Sequence, residues 1–209
     1  MMQLKKILQK LKRSAIAKIV KRRIRSFKNF RKKSEKEIFK ELCFCILTAN
    51  YNAKGAIRIQ KKIDDGFILL TQKKLASALR KLGHRFPNTR AAYICENRKY
   101  LSCLKSIFNF NDGKSAREWL VKNIKGLGYK EASHFLRNIG FDDVAIIDFH
   151  IIDVLSRYKM IKKPTSKSLS KKTYYDIEKK LEELAKETNV PLSELDLYLW
   201  YLETDKIFK

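Results

Sequence analysis

Apolar residues recur at intervals of three and four along most of the 209-residue chain, and few turn-forming residues interrupt them. The sequence has seven glycines and three prolines, whereas average usage at this length would give about 15 glycines. Turn-rich all-β folds are therefore disfavoured, and so are glycine-rich phosphate loops of the Rossmann or P-loop kind. The pattern predicts an all-α protein of about ten short helices, forming one domain over residues 1–209.

The N-terminal segment combines this periodicity with many lysines and arginines. A basic amphipathic helix of this kind can lie on a membrane surface, or it can pack its apolar stripe on the protein and turn its basic face outward. We favour packing on the protein, because the rest of the chain is also basic and no lipidation motif is present. The stripe consists of Leu4, Ile7, Leu8, Leu11, Ala15, Ile16, Ile19 and Val20.

Charge limits the partners of the chain more than its fold. The 47 lysines and arginines against 22 aspartates and glutamates give a formal net charge of +25, which favours a polyanionic partner, nucleic acid before an anionic membrane. The four cysteines include no Cys-x-x-Cys pair, so we expect no structural metal. No apolar run approaches the ~20 residues of a membrane span, and nothing resembles a signal peptide. We expect a cytoplasmic, intracellular protein.

Capping signals divide the chain. Ser34 with Glu37, and Ser115 with Glu118, have the spacing of capping boxes that open helices. The Asn111-Asp112-Gly113 turn between them marks the clearest break. We therefore expect a subdomain boundary near 111–114, with the N-terminal and C-terminal helices packing together. Two further helices are predicted at about 170–188 and 191–203.

The stretch from 123 to 132 holds two of the seven glycines, Gly126 and Gly128, between two helical patterns. Glycine at both positions permits positive φ angles and lets a phosphate approach the backbone. The turn amides and the N-terminus of the next helix would then point the same way, which makes an anion site. An ordinary corner between two helices is the alternative.

Two ionisable residues flank the following helices. Asp148 follows the apolar run 144–147 at an N-cap position, and a plain N-cap is one interpretation of it. Lys130 lies 18 residues earlier, at the start of the preceding helix, where the positive helix end disfavours a cation. A neutral lysine amine is a nucleophile.

The Gly126-Leu127-Gly128-Tyr129-Lys130 run followed by Ile147-Asp148-Phe149-His150 resembles the helix–hairpin–helix and Gly/Pro…Asp signature of the endonuclease III superfamily of DNA glycosylases. The motif would occupy about 116–139. Lysine at the last hairpin position marks the bifunctional glycosylase/lyase members. No cysteines follow Asp148, unlike in the iron–sulfur members, and there is no room for an N-terminal β-domain. The remaining similarity is to the compact archaeal and bacterial 8-oxoguanine DNA glycosylases, the second such family.

The resemblance implies two helical subdomains flanking a DNA-binding cleft. Lys130 would attack the sugar C1′ of the damaged nucleotide, form a Schiff base and nick the strand by β-elimination, and Asp148 would assist. The hairpin amides of Gly126, Gly128 and Lys130 would bind a DNA phosphate. A monovalent cation, Na⁺ or K⁺, could be held beneath the hairpin by the main-chain carbonyls of Lys122, Ile124 and Leu127. No other cofactor is expected.

The resemblance also implies roles around the lesion. Phe86 and Trp200 are candidates to sandwich the damaged base, with core packing as the alternative for each. Lys209, the terminal residue, is a candidate to read the base, and a frayed tail is the alternative. Asn50 would enter the gap left by the extruded nucleotide, or would only cap the C-terminus of a helix. We expect His150 to be structural and His134 to lie at the surface or face a phosphate.

The expected partner is double-stranded DNA containing oxidised guanine, bound by a monomer in association with the nucleoid. Three alternatives stay open: a glycosylase of the same fold for another lesion or mismatch, a non-catalytic helix–hairpin–helix DNA-binding protein, and a membrane-surface protein acting through residues 1–28.

Overall fold

The computed structural model describes residues 2–166 and 168–207, and these ranges contain helices and no strand. This confirms the predicted all-α class. Three short 3₁₀ turns accompany twelve α-helices. The α-helices are α1 (Met2–Lys12), α2 (Ala15–Lys28), α3 (Glu35–Thr48), α4 (Ala53–Ile63), α5 (Gly66–Leu69), α6 (Gln72–Lys81), α7 (Pro87–Asn97), α8 (Gly113–Asn123), α9 (Tyr129–Asn138), α10 (Phe149–Arg157), α11 (Lys171–Thr188) and α12 (Leu192–Thr204).

The first apolar stripe belongs to two helices and not to one. Ser14 lies between α1 and α2 and interrupts the predicted helical pattern. It is the N-cap of α2, since its hydroxyl accepts the N–H of Ile16 at 3.2 Å. The apolar faces of α1 and α2 are buried, and these helices pack against α11 and α12. Leu4, Leu8 and Val20 of the stripe are thus covered by protein, which disfavours the membrane-surface alternative, whereas Ala15 and Ile19 are exposed. Within the ranges that the structure describes, no helix is long and apolar enough to cross a membrane.

Buried apolar residues form two clusters. One is built from residues 38–144, with α3 at its centre. The other combines residues of 4–27 with residues of 145–199, so the two ends of the chain share a core. The hairpin and the segment leading to Asp148 lie where the chain passes from the first cluster to the second. The limits of the domain and the boundary near 111–114 stay predictions.

One of the two predicted helix caps is confirmed and the other is wrong. Ser34 caps α3 as predicted, with its hydroxyl accepting the Glu37 N–H at 3.3 Å. The predicted box at Ser115 is wrong, because Asp112 is the N-cap of α8 and accepts the Ser115 N–H at 2.6 Å. Glu118 instead accepts hydrogen bonds from tyrosine hydroxyls of α9 and α11.

Candidate active site

The hairpin between α8 and α9 is held by residues of α7. Gly126 has a φ of +88°, and a Cβ there would overlap the ring of Tyr93, so only glycine fits. The buried side chain of Asn97 binds both backbone groups of Lys125: its amide donates to the carbonyl and its oxygen accepts the N–H, each at 2.9 Å. Tyr93 and Asn97 carry no sequence signal that distinguishes them from other helical residues.

Gly128 differs from the expectation. Its φ is −95°, which any residue can adopt, and a Cβ would meet only a side-chain oxygen of Glu131, at 3.4 Å. Gly128 is the N-cap of α9 and is exposed. Its backbone conformation therefore does not require glycine. Glycine would be required at this position only if a ligand had to reach the first turn of α9.

Lys130 lies in the first turn of α9. Its side chain is one-quarter exposed, and its Nζ is 3.4 Å from a carboxylate oxygen of Glu131. The side chain can reach solvent and a ligand at the end of the helix.

Asp148 is the N-cap of α10, and its carboxylate accepts the N–H of Ile151 at 3.0 Å. Burial raises the pKa of Asp148, while the Ile151 N–H and the positive charge of Lys130 act in the opposite direction. The charge of Lys130 acts on the Asp148 carboxylate, so the two groups, at the N-termini of α9 and α10, lie within electrostatic range of each other. Asp148 is therefore a cap and also a carboxylate in the neighbourhood of the lysine.

A second carboxyl group lies behind this pair, and the sequence pattern did not indicate it. Asp196, in α12, is buried, and one of its oxygens is 3.4 Å from a guanidinium nitrogen of Arg137. Burial raises the pKa of Asp196 to about 6, against the effect of Arg137, and the charge of Asp148 adds to the increase. The carboxyl groups of Asp148 and Asp196 therefore share their surroundings with the basic groups of Lys130 and Arg137.

An aromatic cluster adjoins Asp148. The ring of His150 packs 4.1 Å from that of Phe149 and 4.5 Å from that of Trp200, centroid to centroid, the latter edge to face. Phe149 is 67% exposed, and the buried indole N–H of Trp200 has no hydrogen-bond partner among the described residues. The structure thus places Trp200 against His150, two residues after Asp148.

Asn50 follows α3 and Phe86 precedes α7, and His84 links these two parts of the chain. Its Nε2 bonds the Leu47 carbonyl at 3.0 Å, and its Nδ1 accepts the Phe86 N–H at 3.0 Å. Burial lowers the pKa of His84, which suits this neutral tautomer. The guanidinium of Arg90 donates to the Ala49 carbonyl at 2.7 Å and lies 5.7 Å from the centre of the Phe86 ring. Asn50 is exposed, with a φ of +57°.

Three further expectations have different outcomes. Lys209 lies outside the described residues, although Ile207 packs against the second cluster. The cation beneath the hairpin stays a prediction. The surface position expected for His134 is wrong: the residue is buried, with its ring edge to face with Phe44.

An all-helical chain that places a lysine directly after a helix–hairpin–helix turn, next to an N-cap aspartate, has the architecture of the helix–hairpin–helix DNA glycosylases. The sequence model of a family described as 8-oxoguanine DNA glycosylase matches residues 20–190. The chain belongs to this archaeal and bacterial 8-oxoguanine DNA glycosylase/AP lyase family, which confirms the resemblance found in the sequence.

The relatives are similar over their whole length. An 8-oxoguanine DNA glycosylase/AP lyase of Methanocaldococcus jannaschii is 53% identical over 209 residues, covering 100% of both chains. The crystal structure of the 8-oxoguanine glycosylase/lyase of that organism with a 15mer DNA containing 8-oxoguanine has a TM-score of 0.95 at 51% identity, covering 99% of this chain and 100% of the other. The 8-oxoguanine DNA glycosylase of Thermotoga maritima gives a TM-score of 0.92 at 42% identity, covering 99% of each chain.

Proposed function

We propose that the protein removes 8-oxoguanine from duplex DNA and cleaves the resulting site, with Lys130 as nucleophile and Asp148 as the assisting carboxylate. The observation that carries the assignment of roles is the position of these two side chains at the N-termini of α9 and α10, within electrostatic range of each other. Family membership supplies the lesion and the two activities.

The chemistry follows from an amine beside a carboxylate. Nζ of Lys130 forms a bond to C1′ while the glycosidic bond breaks. The electron pair of the glycosidic bond leaves with the base, which takes up a proton. Opening of the sugar gives a Schiff base, and loss of a C2′ proton expels the 3′ phosphate by β-elimination. Asp148 stabilises the positive charge that develops on the sugar. Incubation with duplexes of different lesions plus borohydride tests substrate and adduct together.

The lesion base would be extruded into a pocket with aromatic walls, at a cost of a few kcal/mol. Trp200 is supported as one wall by its position beside His150 and by its buried indole N–H, which has no hydrogen-bond partner among the described residues. Phe86 is assigned as the second wall, and Asn50 is assigned to the gap in the duplex. Both assignments are supported by the hydrogen bonds that connect the two loops.

A non-catalytic DNA-binding protein is the alternative of a different class. It would need the hairpin but neither an amine nor a carboxylate at its end, and the position of Lys130 within electrostatic range of Asp148 argues against it. Another lesion on the same fold is the alternative substrate. The panel of lesion duplexes distinguishes these, because a binder forms no borohydride adduct with any of them.

Binding to undamaged duplex should weaken steeply as salt increases, because cationic side chains release counterions from the phosphates they contact. With a formal charge of +25, we expect on the order of five phosphate contacts and a log–log slope near −0.9 for each. Fluorescence anisotropy across a salt series measures the slope. A slope near zero, with binding to anionic liposomes instead, would contradict the DNA assignment.

Deleting Lys209, or extending the chain beyond it, should reduce 8-oxoguanine excision relative to guanine excision. 8-Oxoguanine presents an N–H donor at N7, and Lys209 would offer an acceptor in its main-chain carbonyl. Guanine presents an acceptor there, and two facing acceptors cost ~1–3 kcal/mol. Excision rates on the two bases measure the selectivity, with cleavage of a preformed abasic site as the control. Unchanged selectivity in the extended protein would remove Lys209 from recognition.

The proposal also covers partners and location. Large apolar residues that are exposed in the described ranges each lie on a different helix, which supports a monomer, since stable homodimers bury a continuous apolar surface. A monovalent cation fits the carbonyls of Lys122, Ile124 and Leu127, because the C-terminus of α8 is the negative end of a helix. An intracellular, nucleoid-associated location follows from DNA as the substrate.

A further inference from the structure

The chain reaches Asp148 through a buried segment, 144–147, that belongs to neither a helix nor a strand. No strand lies beside it in the ranges that the structure describes, so its backbone groups need other partners. The N–H of Ala145 donates to a carboxylate oxygen of Glu178 at 2.9 Å, and its carbonyl accepts from the hydroxyl of Tyr174 at 2.7 Å. Tyr174 and Glu178 are one turn apart on α11. Side chains on one face of α11 therefore supply hydrogen bonds that a neighbouring strand would otherwise provide.

The hydroxyl of Tyr174 also contacts the helix that carries Lys130. It lies 3.1 Å from the hydroxyl of Ser133 and 3.4 Å from the carbonyl oxygen of Tyr129, both on α9. The N–H of Ile147 approaches the same oxygen at 3.4 Å. A single phenol oxygen thus touches the residue before Lys130 and the residue before Asp148.

The surroundings hold this phenol in place. Tyr174 is buried, and burial raises its pKa, so it remains a neutral donor. Its single proton goes to the Ala145 carbonyl, the shorter contact, while Ser133 and Ile147 can donate to its oxygen. The guanidinium of Arg117 lies 5.2 Å from the centre of the ring and forms a bidentate pair with Glu178 at 2.6 Å.

We propose that Tyr174 is a positioning residue that sets the separation between the Lys130 amine and the Asp148 carboxylate. It contacts neither reacting group and acts through the backbone of both segments. This inference rests on the proposed function of the pair. Misplacing a reacting group by ~1 Å can cost about 10²-fold in rate, and Tyr174→Phe, which keeps the ring, should cost about 10-fold in the chemical step.

The test is single-turnover excision of 8-oxoguanine with enzyme in excess, alongside duplex affinity and thermal unfolding. Tyr175→Phe is the matched control: this neighbour on α11 also lies against Arg117, but its hydroxyl bonds Glu118. We expect Tyr174→Phe to reduce the rate about 10-fold at unchanged affinity, and Tyr175→Phe to change it less than about 2-fold.

A double-mutant cycle separates positioning from general destabilisation. If Tyr174 acts by setting Asp148 against Lys130, its removal should have little effect once Asp148 is Asn. Equal losses in both backgrounds, an equal loss in Tyr175→Phe, or an unchanged rate in Tyr174→Phe would overturn the proposal.

If Tyr174→Phe does not fold, Ser133→Ala removes the α9 side of the link and should reduce the rate in the same direction. An unchanged rate there would also overturn the proposal. Lys130→Gln reports on the proposed function separately, because a borohydride adduct in that variant would contradict the assignment of the nucleophile whatever Tyr174 does.

Discussion

Lys130→Gln should abolish both base release and borohydride trapping while binding to lesion-containing DNA is retained. Glutamine is polar and only one atom shorter than lysine, but its amide cannot attack C1′ or form a Schiff base. Because the chemistry depends on this one amine, the loss should extend to the detection limit of a single-turnover assay, several orders of magnitude. Denaturing gels measure strand cleavage and the trapped adduct, and anisotropy measures binding.

Lys73→Gln is the matched control for Lys130→Gln. Lys73 occupies the corresponding position in the first turn of α6, since Thr71 is the N-cap there as Gly128 is for α9, and it is exposed. Both variants lose one positive charge at a helix N-terminus, but Lys130, unlike Lys73, is among the groups whose charge acts on Asp148. Lys73→Gln should therefore keep full activity. A trapped adduct in Lys130→Gln would place the nucleophile elsewhere.

The class of fold and the position of the hairpin could be predicted, because they depend on local signals. Helical periodicity and scarce glycines gave the class, and the glycines at 126 and 128 gave the turn. Local signals failed where a helix could continue or stop at equal cost: Ser14 breaks the first stripe, and Asp112 replaces Ser115 as the cap. In both places a short polar side chain satisfies the first free N–H groups.

The surroundings of the site could not be predicted, because they depend on contacts between distant segments. Asn97 binds the hairpin from α7, Asp196 approaches Asp148 from α12, and Tyr174 connects α9 with the segment before α10. Each of these residues lies within an ordinary helical pattern. Only the packing of the helices brings them to Lys130, so composition and spacing carry no trace of the arrangement.

Asp148→Asn should reduce the chemical step by about 10²-fold or more, the range of electrostatic and general acid–base effects. Asparagine is as good an N-cap as aspartate and can still accept the Ile151 N–H, so α10 should begin at the same residue. The substitution therefore removes the charge and keeps the cap. Thermal unfolding should change little, while single-turnover excision and abasic-site cleavage should both become slower.

The second N-cap aspartate provides the control. The Ser115 N–H lowers the pKa of Asp112, which is exposed, whereas burial raises the pKa of Asp148. Asp112→Asn should leave the chemical rate unchanged. An equal effect of the two substitutions, or unchanged kinetics in Asp148→Asn, would make Asp148 only a cap.

The raised pKa also predicts how the reaction depends on pH. As the pH falls through this pKa, the Asp148 carboxylate takes up a proton and can no longer stabilise positive charge on the sugar. The single-turnover rate of the native protein should therefore fall on the acidic side at a higher pH than an ordinary aspartate would give. Asp148→Asn carries no such proton and should lack this acidic limb, whereas Asp112→Asn should retain it. Rate–pH profiles of the three proteins on one 8-oxoguanine duplex make the comparison. An acidic limb that persists in Asp148→Asn would belong to another group, and the first to examine is Asp196, whose pKa burial raises to about 6.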